Sequence, residues 1–400
     1  MNSIQYLLSI ETRGIKLGIQ RTREIMDACE NPQIGLPSIQ VAGTNGKGSV
    51  CAMLSNIFKS AGYKTGLFTS PHLVTVNERI RINGLPISNE EIDLFIQTYK
   101  TDIEKTEVTF FETITAMALW YFNKENVDIC ILETGLGGRL DSVSICEPIA
   151  TVITPISLDH LEILGETLPE IAFEKAGIIK RGVICISAQQ DSSATKVLIK
   201  EANKKGSPIY FINGENSLEC AVNIPGEFQR ENAQLAVLTL DHLNNFDIPK
   251  TAVLNGLQTV QWFGRNQLIQ KNPLVIFDVA HNIESMRSFL KYYNSLNVSE
   301  DSVLIIALQE RKQIQALSCI FQITFKYIIC TETTGHHPMP ADVLKKNFDN
   351  SSYIKTIQNP EKAIQYGLKK LTSHGGMAII GSHYLGPAVS KIFKIYFDRC

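Results

Sequence analysis

A five-residue apolar run, Ser38 to Ala42, passes directly into Gly43-Thr44-Asn45-Gly46-Lys47-Gly48-Ser49 and then into a helical pattern carried by Val50, Leu54, Ile57, Phe58 and Ala61. A strand that turns through glycines onto a helix N-terminus aims backbone N–H groups at an anion. The glycines let the backbone approach phosphate oxygens, Lys47 supplies a point charge, and the Ser49 hydroxyl is placed to reach Mg²⁺. The loop departs from the common GxxxxGK[ST] pattern, because position 41 is valine and position 48 is glycine. Nucleotide-phosphate binding is the expected use. A glycine turn with an incidental lysine is the bland alternative, and the strand before and helix after argue against it.

The same alternation continues along the chain. Strand-length apolar runs at Val127 to Leu132, Ala150 to Thr154 and Val183 to Ser187 are separated by helical patterns, which reads as β-α units on a parallel sheet. A second series follows at Leu274 to Phe277, Val303 to Ala307, Tyr327 to Cys330 and Met377 to Gly381. The polar segment Asn266 to Pro273 separates the two series. The expected architecture is α/β: a phosphate-loop domain with a parallel-rich sheet over residues 1–270, and a smaller Rossmann-like domain over 271–400. No internal repeat or low-complexity tract interrupts it, and the only long loop is expected around Glu332 to Pro340.

Composition limits the partners. With 38 basic and 40 acidic residues among 400, the formal net charge is -2, so no chain-wide field exists to hold nucleic acid or an anionic membrane. Any anion binding must be local. Nine cysteines lie singly with no CxxC pair, which argues against a disulfide framework or zinc knuckle and suits a reducing compartment. The N-terminal stretch lacks the apolar core of a signal peptide, and no apolar run approaches the ~20 residues of a membrane span. A cytoplasmic, monomeric enzyme acting on small molecules is the expectation.

Several polar residues stand where open α/β sheets bind ligands. Glu133 follows the run Val127 to Leu132 and precedes a glycine-rich turn, a place from which a carboxylate can hold Mg²⁺ beside the phosphate loop. Asp159-His160 follows the run Ala150 to Thr154 and emerges on the same edge; beside Glu133, His160 reads as a metal ligand rather than a structural histidine. The helix over Leu168 to Ala176 is announced by Thr167 and Glu170 at capping-box spacing and closed by Gly177. Lys175 falls on its apolar stripe, four residues after Ile171. A lysine there either snorkels to water or, desolvated, loses proton affinity and gains nucleophilicity. By composition Asn232 is an N-cap. Arg265 offers a fixed fork to phosphate oxygens and Asp278 a carboxylate at a strand end, so a cleft between the domains is expected to be the site.

The loop AGTNGKGS resembles that of the folylpolyglutamate synthase and dihydrofolate synthase branch of the Mur ligase superfamily. Thr69-Ser70-Pro71-His72-Leu73, Asn77-Glu78-Arg79-Ile80-Arg81, Phe110-Phe111-Glu112, Glu133-Thr134-Gly135-Leu136-Gly137-Gly138-Arg139-Leu140-Asp141, Leu158-Asp159-His160 and Glu174-Lys175-Ala176-Gly177 resemble that family's motifs in order. The resemblance implies a Mur-ligase-like ATPase domain and ligation of glutamate to a pteroate or folate through an acyl phosphate, with ATP and two Mg²⁺ ions. It implies Gly43 to Ser49, Asn232, Arg265, Asp278 and His281 as ATP contacts, and Ser49, Ser70, Glu133, His160 and a carbamylated Lys175 as metal ligands. Lys47, Glu133, His160 and Lys175 would carry catalysis. The pterin and benzoate end would meet Gly14, Ile15, Lys16 and Leu17, then Phe111, Glu112, Thr113 and Ile114, then Leu140, Asp141 and Ser142.

Departures concentrate later in the chain. The family's GGRLDATN ends here in Ser144, PGR becomes Phe263-Gly264-Arg265, and DGAHNP ends in Ile283. Where the family has DKD this chain has Glu310-Arg311-Lys312, and its proline-arginine pair is replaced around Gly335-His336-His337-Pro338. A superfamily ligase with another acid or amine therefore stands as the alternative. A non-catalytic nucleotide binder is disfavoured by the complete set Lys47, Glu133, His160 and Lys175, and a switch-type NTPase by the loop's departure from the Walker pattern.

Overall fold

The computed structural model describes residues 2–213, 220–298, 301–310, 314–333, 335, 337–349 and 351–397. Arg311, Lys312 and His336, named above among the departures, lie outside the described residues.

Strands β1 (Ser38–Ala42), β2 (Thr65–Phe68), β3 (Ile80–Ile82), β4 (Leu85–Pro86), β5 (Ile129–Glu133), β6 (Ala150–Ile153), β7 (Ile184–Ser187) and β8 (Ile209–Phe211) form one sheet in the order β4-β3-β2-β5-β1-β6-β7-β8. Pairing is parallel from β2 through β8, and the edge strands β3 and β4 are antiparallel. β1 is buried at every residue, as a central strand covered on both faces must be. One apolar layer, including Phe68, Phe95, Ile114 and Phe122, covers one face, and helix Lys47–Ser60, carrying Phe58, packs together with Leu235 and Leu257 on the other.

The second sheet holds β9 (Gln267–Gln270), β10 (Leu274–Phe277), β11 (Val303–Ile306), β12 (Tyr327–Cys330), β13 (Ile354–Thr356) and β14 (Gly376–Ile380), ordered β13-β12-β11-β14-β10-β9. Only β9 runs antiparallel, against β10. Gln267 to Gln270 thus belongs to the second sheet. Helices cover both of its faces, burying Phe289, Leu290 and Phe321 on one side and Ile364, Leu385 and Val389 on the other.

Two local expectations are corrected. Asn232 is not an N-cap: helix Phe228–Asp241 has already begun, and Asn232 donates to Gln229 Oε1 at 3.0 Å within its first turns. The capping box of Thr167 and Glu170 is present, but helix Leu168–Lys175 is capped at Ala176 and Gly177 continues into a 3₁₀ turn without positive φ. Gly177 answers to crowding instead. A Cβ there would sit 2.1 Å from Arg139 Cα.

Candidate active site

β1 lies between β5 and β6, so three strand ends deliver their loops side by side at one edge. From β1 comes the glycine loop, from β5 Glu133, and from β6 the stretch Thr154 to His160. This reversal of strand order in a parallel sheet is where a crevice forms. The Thr44 and Asn45 N–H groups donate to the Pro155 carbonyl at 2.9 and 3.4 Å, and Thr44 exchanges hydrogen bonds with Ser157. The loop is therefore pinned to the β6 extension. Gly43 and Gly46 have positive φ, and Cβ atoms on them would strike Thr154 and Asn232. The glycines are required by both backbone conformation and space.

Two lysines meet on one carbonyl. Lys47 Nζ donates to Gly43 O at 3.1 Å and Thr44 O at 3.2 Å, and Lys175 Nζ donates to Gly43 O at 2.7 Å. Lys175 is 4% exposed. Its burial, reinforced by the positive charge of Lys47, pushes the ammonium down to about 7, against the opposing pull of Asp159 and Asp141. Of the two behaviours open to a lysine on the stripe, the structure adopts burial rather than snorkelling.

Glu133 is buried at the end of β5, and its Oε2 accepts from the Ser70 N–H at 3.0 Å. Burial raises its proton affinity, while Lys47, the Ser70 N–H and Arg265 oppose the rise. The Ser49 Oγ is buried without a hydrogen-bond partner. An orphaned hydroxyl and a buried carboxylate, both hard oxygens, fit a divalent cation of the Mg²⁺ class. Among the described residues no three His, Cys, Asp or Glu side chains converge as a metal cluster. His160 is exposed, in a left-handed conformation, with Nε2 4.0 Å from Asp159 Oδ2.

The second sheet supplies the opposite wall. Asp278, at the end of β10, accepts from the Asn266 and Ala280 N–H groups at 2.6 and 2.7 Å, and burial raises it. His281 Nε2 lies 3.8 Å from Asp159 Oδ2 across the cleft. Arg265 lines a small cavity with Ser70, Leu73, Arg81, Trp262 and His383. His383 follows β14, and its proton affinity falls through burial first and then through the neighbouring Arg79, Arg265 and two imidazoles, His281 and His72. His72 is pushed down to about 3 by burial and by Arg79, whose Nε donates to its Nδ1 at 2.8 Å. Trp262 and His383 escaped the sequence reading. A strand-end rule applied to β14 finds His383; nothing local announces Trp262, whose indole packs where a Gly48 Cβ would stand, 2.9 Å from Nε1.

The residues matched to the pterin end divide. Gly14 to Leu17 form an exposed stretch without regular structure, and Lys16 reaches Glu107 at 3.7 Å. Phe111 is half-buried against Phe68 and closely over Gly135. Glu112 closes a capping box on Thr109 and pairs with Arg21 at 3.0 Å, while Thr113 and Ile114 are wholly buried. Asp141 accepts from the Leu136 and Val143 N–H groups, which fixes the glycine-rich turn; burial raises it to about 6. Ser142 is buried against Thr22, and Leu140 is half-buried.

Sequence comparison decides the family. The Mur ligase middle domain matches residues 41–216, and the Mur ligase glutamate ligase domain matches residues 264–383. The dihydrofolate synthase/folylpolyglutamate synthase of Bacillus subtilis is 34% identical, over 95% of this chain and 96% of the relative. The chain belongs to the folylpolyglutamate and dihydrofolate synthase family of Mur ligases. It is accordingly an ATP-dependent acid–amino-acid ligase. Solved structures agree: Escherichia coli FolC in complex with DHPP and ADP superposes with TM-score 0.90 at 25% identity, covering 98% of each chain. The Yersinia pestis bifunctional enzyme complexed with AMPPNP and a Mn ion gives TM-score 0.86 at 26% identity, covering 99% of this chain and 98% of that one. No helix among the described residues is long and apolar enough to cross a membrane.

Proposed function

We propose that this member of the family adds L-glutamate to the carboxylate of a pteroate or folate. The supporting observation is the convergence, at one cleft, of the phosphate loop, the buried Glu133 and the strand-end groups Arg265, Asp278 and His281. ATP would lie with its phosphates on Gly43 to Ser49 and its nucleoside toward Asn232, Asp278 and His281. An oxygen of the folate carboxylate attacks the γ-phosphorus and ADP leaves; the glutamate nitrogen then attacks the acyl carbon, phosphate leaves, and the nitrogen loses its proton. Lys47 and Arg265 offset the charge on the phosphoryl group in both steps, and closure of the cleft keeps water from the acyl phosphate.

Ser49, Ser70, Glu133 and His160 would hold two Mg²⁺ ions, which neutralise phosphate charge when bound. Lys175 would join them as a carbamate: its buried amine, deprotonated near neutrality, would add to CO₂, release a proton and become an anionic oxygen ligand. Phe111, Asp141 and the exposed Gly14 to Leu17 would border the pterin. We place the division between the domains ahead of Gln267, because β9 pairs with β10, and retain a cytoplasmic monomer as the working form.

The test is incubation with ATP, Mg²⁺, glutamate and either dihydropteroate or a reduced folate, followed by mass spectrometry. An acceptor gaining one glutamyl residue, lost in Lys47→Ala, is expected. If neither acceptor is extended and Lys47→Ala matches wild type, the folate assignment is wrong.

A further inference from the structure

We propose that Asn282 is a positioning residue that couples the phosphate loop to closure of the second domain through a reciprocal amide pair with Asn45. Asn282 Nδ2 donates to Asn45 Oδ1 at 3.0 Å, and Asn45 Nδ2 donates back to Asn282 Oδ1 at 3.4 Å. The pair joins the middle of the glycine loop to the start of helix Ile283–Ser295, on the far side of the cleft.

Both ends are fixed. Asn282 Oδ1 also accepts from the Ser285 N–H at 2.9 Å as the N-cap, so the amide cannot swing away without uncapping the helix. Asn45 is held by its N–H to Pro155 and by a 3.4 Å contact with Ser157 Oγ. Other polar contacts also span the domains: Lys291, on the same helix as Asn282, forms an ion pair with Glu227, and the Asn266 N–H donates to Asp278 at 2.6 Å. Arg81 donates to the Phe397 carbonyl at 3.0 Å at the side of the chain terminus, and Asp159 faces His281 at 3.8 Å. Domains of one chain move relative to one another by default unless a large apolar interface locks them. Among the described residues, the amide pair is the hydrogen-bonded link that joins the phosphate loop itself to the second domain. Asn282 acts through Asn45 rather than on substrate.

Asn282→Ser and Asn282→Thr test this, because both keep an oxygen to cap the helix and are too short to reach Asn45. Thermal stability within a few degrees of wild type is expected for at least one of them. ADP affinity, measured by titration calorimetry, should change by less than about twofold, while turnover with acid and amine present falls about three- to tenfold, the worth of one such hydrogen bond. The ADP-bound variant should also show a larger radius of gyration by small-angle scattering than ADP-bound wild type. Unchanged turnover with an unchanged radius overturns the proposal. So does a loss of ADP affinity equal to the loss of turnover, which would make the defect one of the loop alone.

Discussion

Replacing Lys175 by methionine isolates the electrostatic burden of the site. Methionine keeps the length and apolar stem but removes the amine that Gly43 O accepts from at 2.7 Å. In wild type the folded-state amine is pushed down from its ordinary 10.5 to about 7, chiefly by burial and then by Lys47. Between those two values the unfolded chain holds a proton that the folded chain has given up. Stability then rises with pH, because the unfolded state binds more protons there. Each pH unit inside the window is worth about 1.4 kcal/mol. From pH 7.5 to 9.5, wild type should therefore gain about 2–3 kcal/mol on Lys175→Met, all other titrating groups being common to both.

The assay is urea unfolding of both proteins at several pH values, in buffers freed of CO₂ so that the amine stays unmodified. The difference in midpoint multiplied by the common slope gives the difference in stability. Parallel pH profiles would mean that Lys175 keeps its proton in the fold, and the argument for a nucleophilic amine would fall with it. A difference that shrinks with rising pH would have the wrong sign and refute it equally.

Three further outcomes follow from the same geometry. Gly177→Ala should cost about 1–3 kcal/mol or more, since the new Cβ meets Arg139 backbone at 2.1 Å; an unaltered melting temperature would contradict the crowding. Lys175→Ala should lose ligase activity and regain part of it with added acetate or formate, whereas full activity without carboxylate removes the carbamate from the mechanism. Gly48→Ala should displace Trp262, 2.9 Å from the added Cβ, and shift the intrinsic fluorescence while weakening ADP binding by about tenfold, the equivalent of about 1.4 kcal/mol of overpacking; unchanged emission and affinity would show that the indole does not rest on the loop.

Legibility in the sequence followed burial. β1, β10 and β12 begin and end where the apolar runs do, because a strand covered on both faces is predominantly apolar, Ser38 and Gln40 of β1 being its buried polar exceptions, and its ends are marked by the turn residues that follow. The apolar runs do not mark out β2, β3, β4, β8, β9 or β13. β4 is two residues, one of them exposed, and β8 is a half-exposed edge strand, so neither carries a continuous apolar signal. The site divided in the same way. Lys47, Glu133 and Asp278 sit at strand ends and can be found from strands alone. The crossing partners Asn45 with Asn282, and Trp262 with Gly48, are separated by more than two hundred residues, and no local pattern encodes their meeting. Gly177 misled for a physical reason: glycine after a helix usually serves a left-handed cap, whereas here it admits the Arg139 turn.

Trp262 also accounts for the phosphate loop's departure from the usual GK[ST] spacing. A side chain at position 48 would run into the indole, so glycine stands there, and the hydroxyl appears one residue later at Ser49, buried and unpartnered. The linker residue and the loop residue are thus complementary choices, each requiring the other. Around them, burial moves acids and bases in opposite directions: Glu133, Asp141 and Asp278 bind protons more tightly, while His72, Lys175 and His383 bind them less tightly. That pattern marks a cleft short of water rather than one with an excess of either sign. A chain of nearly zero net charge can therefore hold a polyphosphate: scarcity of water at one interdomain cleft strengthens the attraction of Lys47 and Arg265 for phosphate, which no chain-wide positive field supplies.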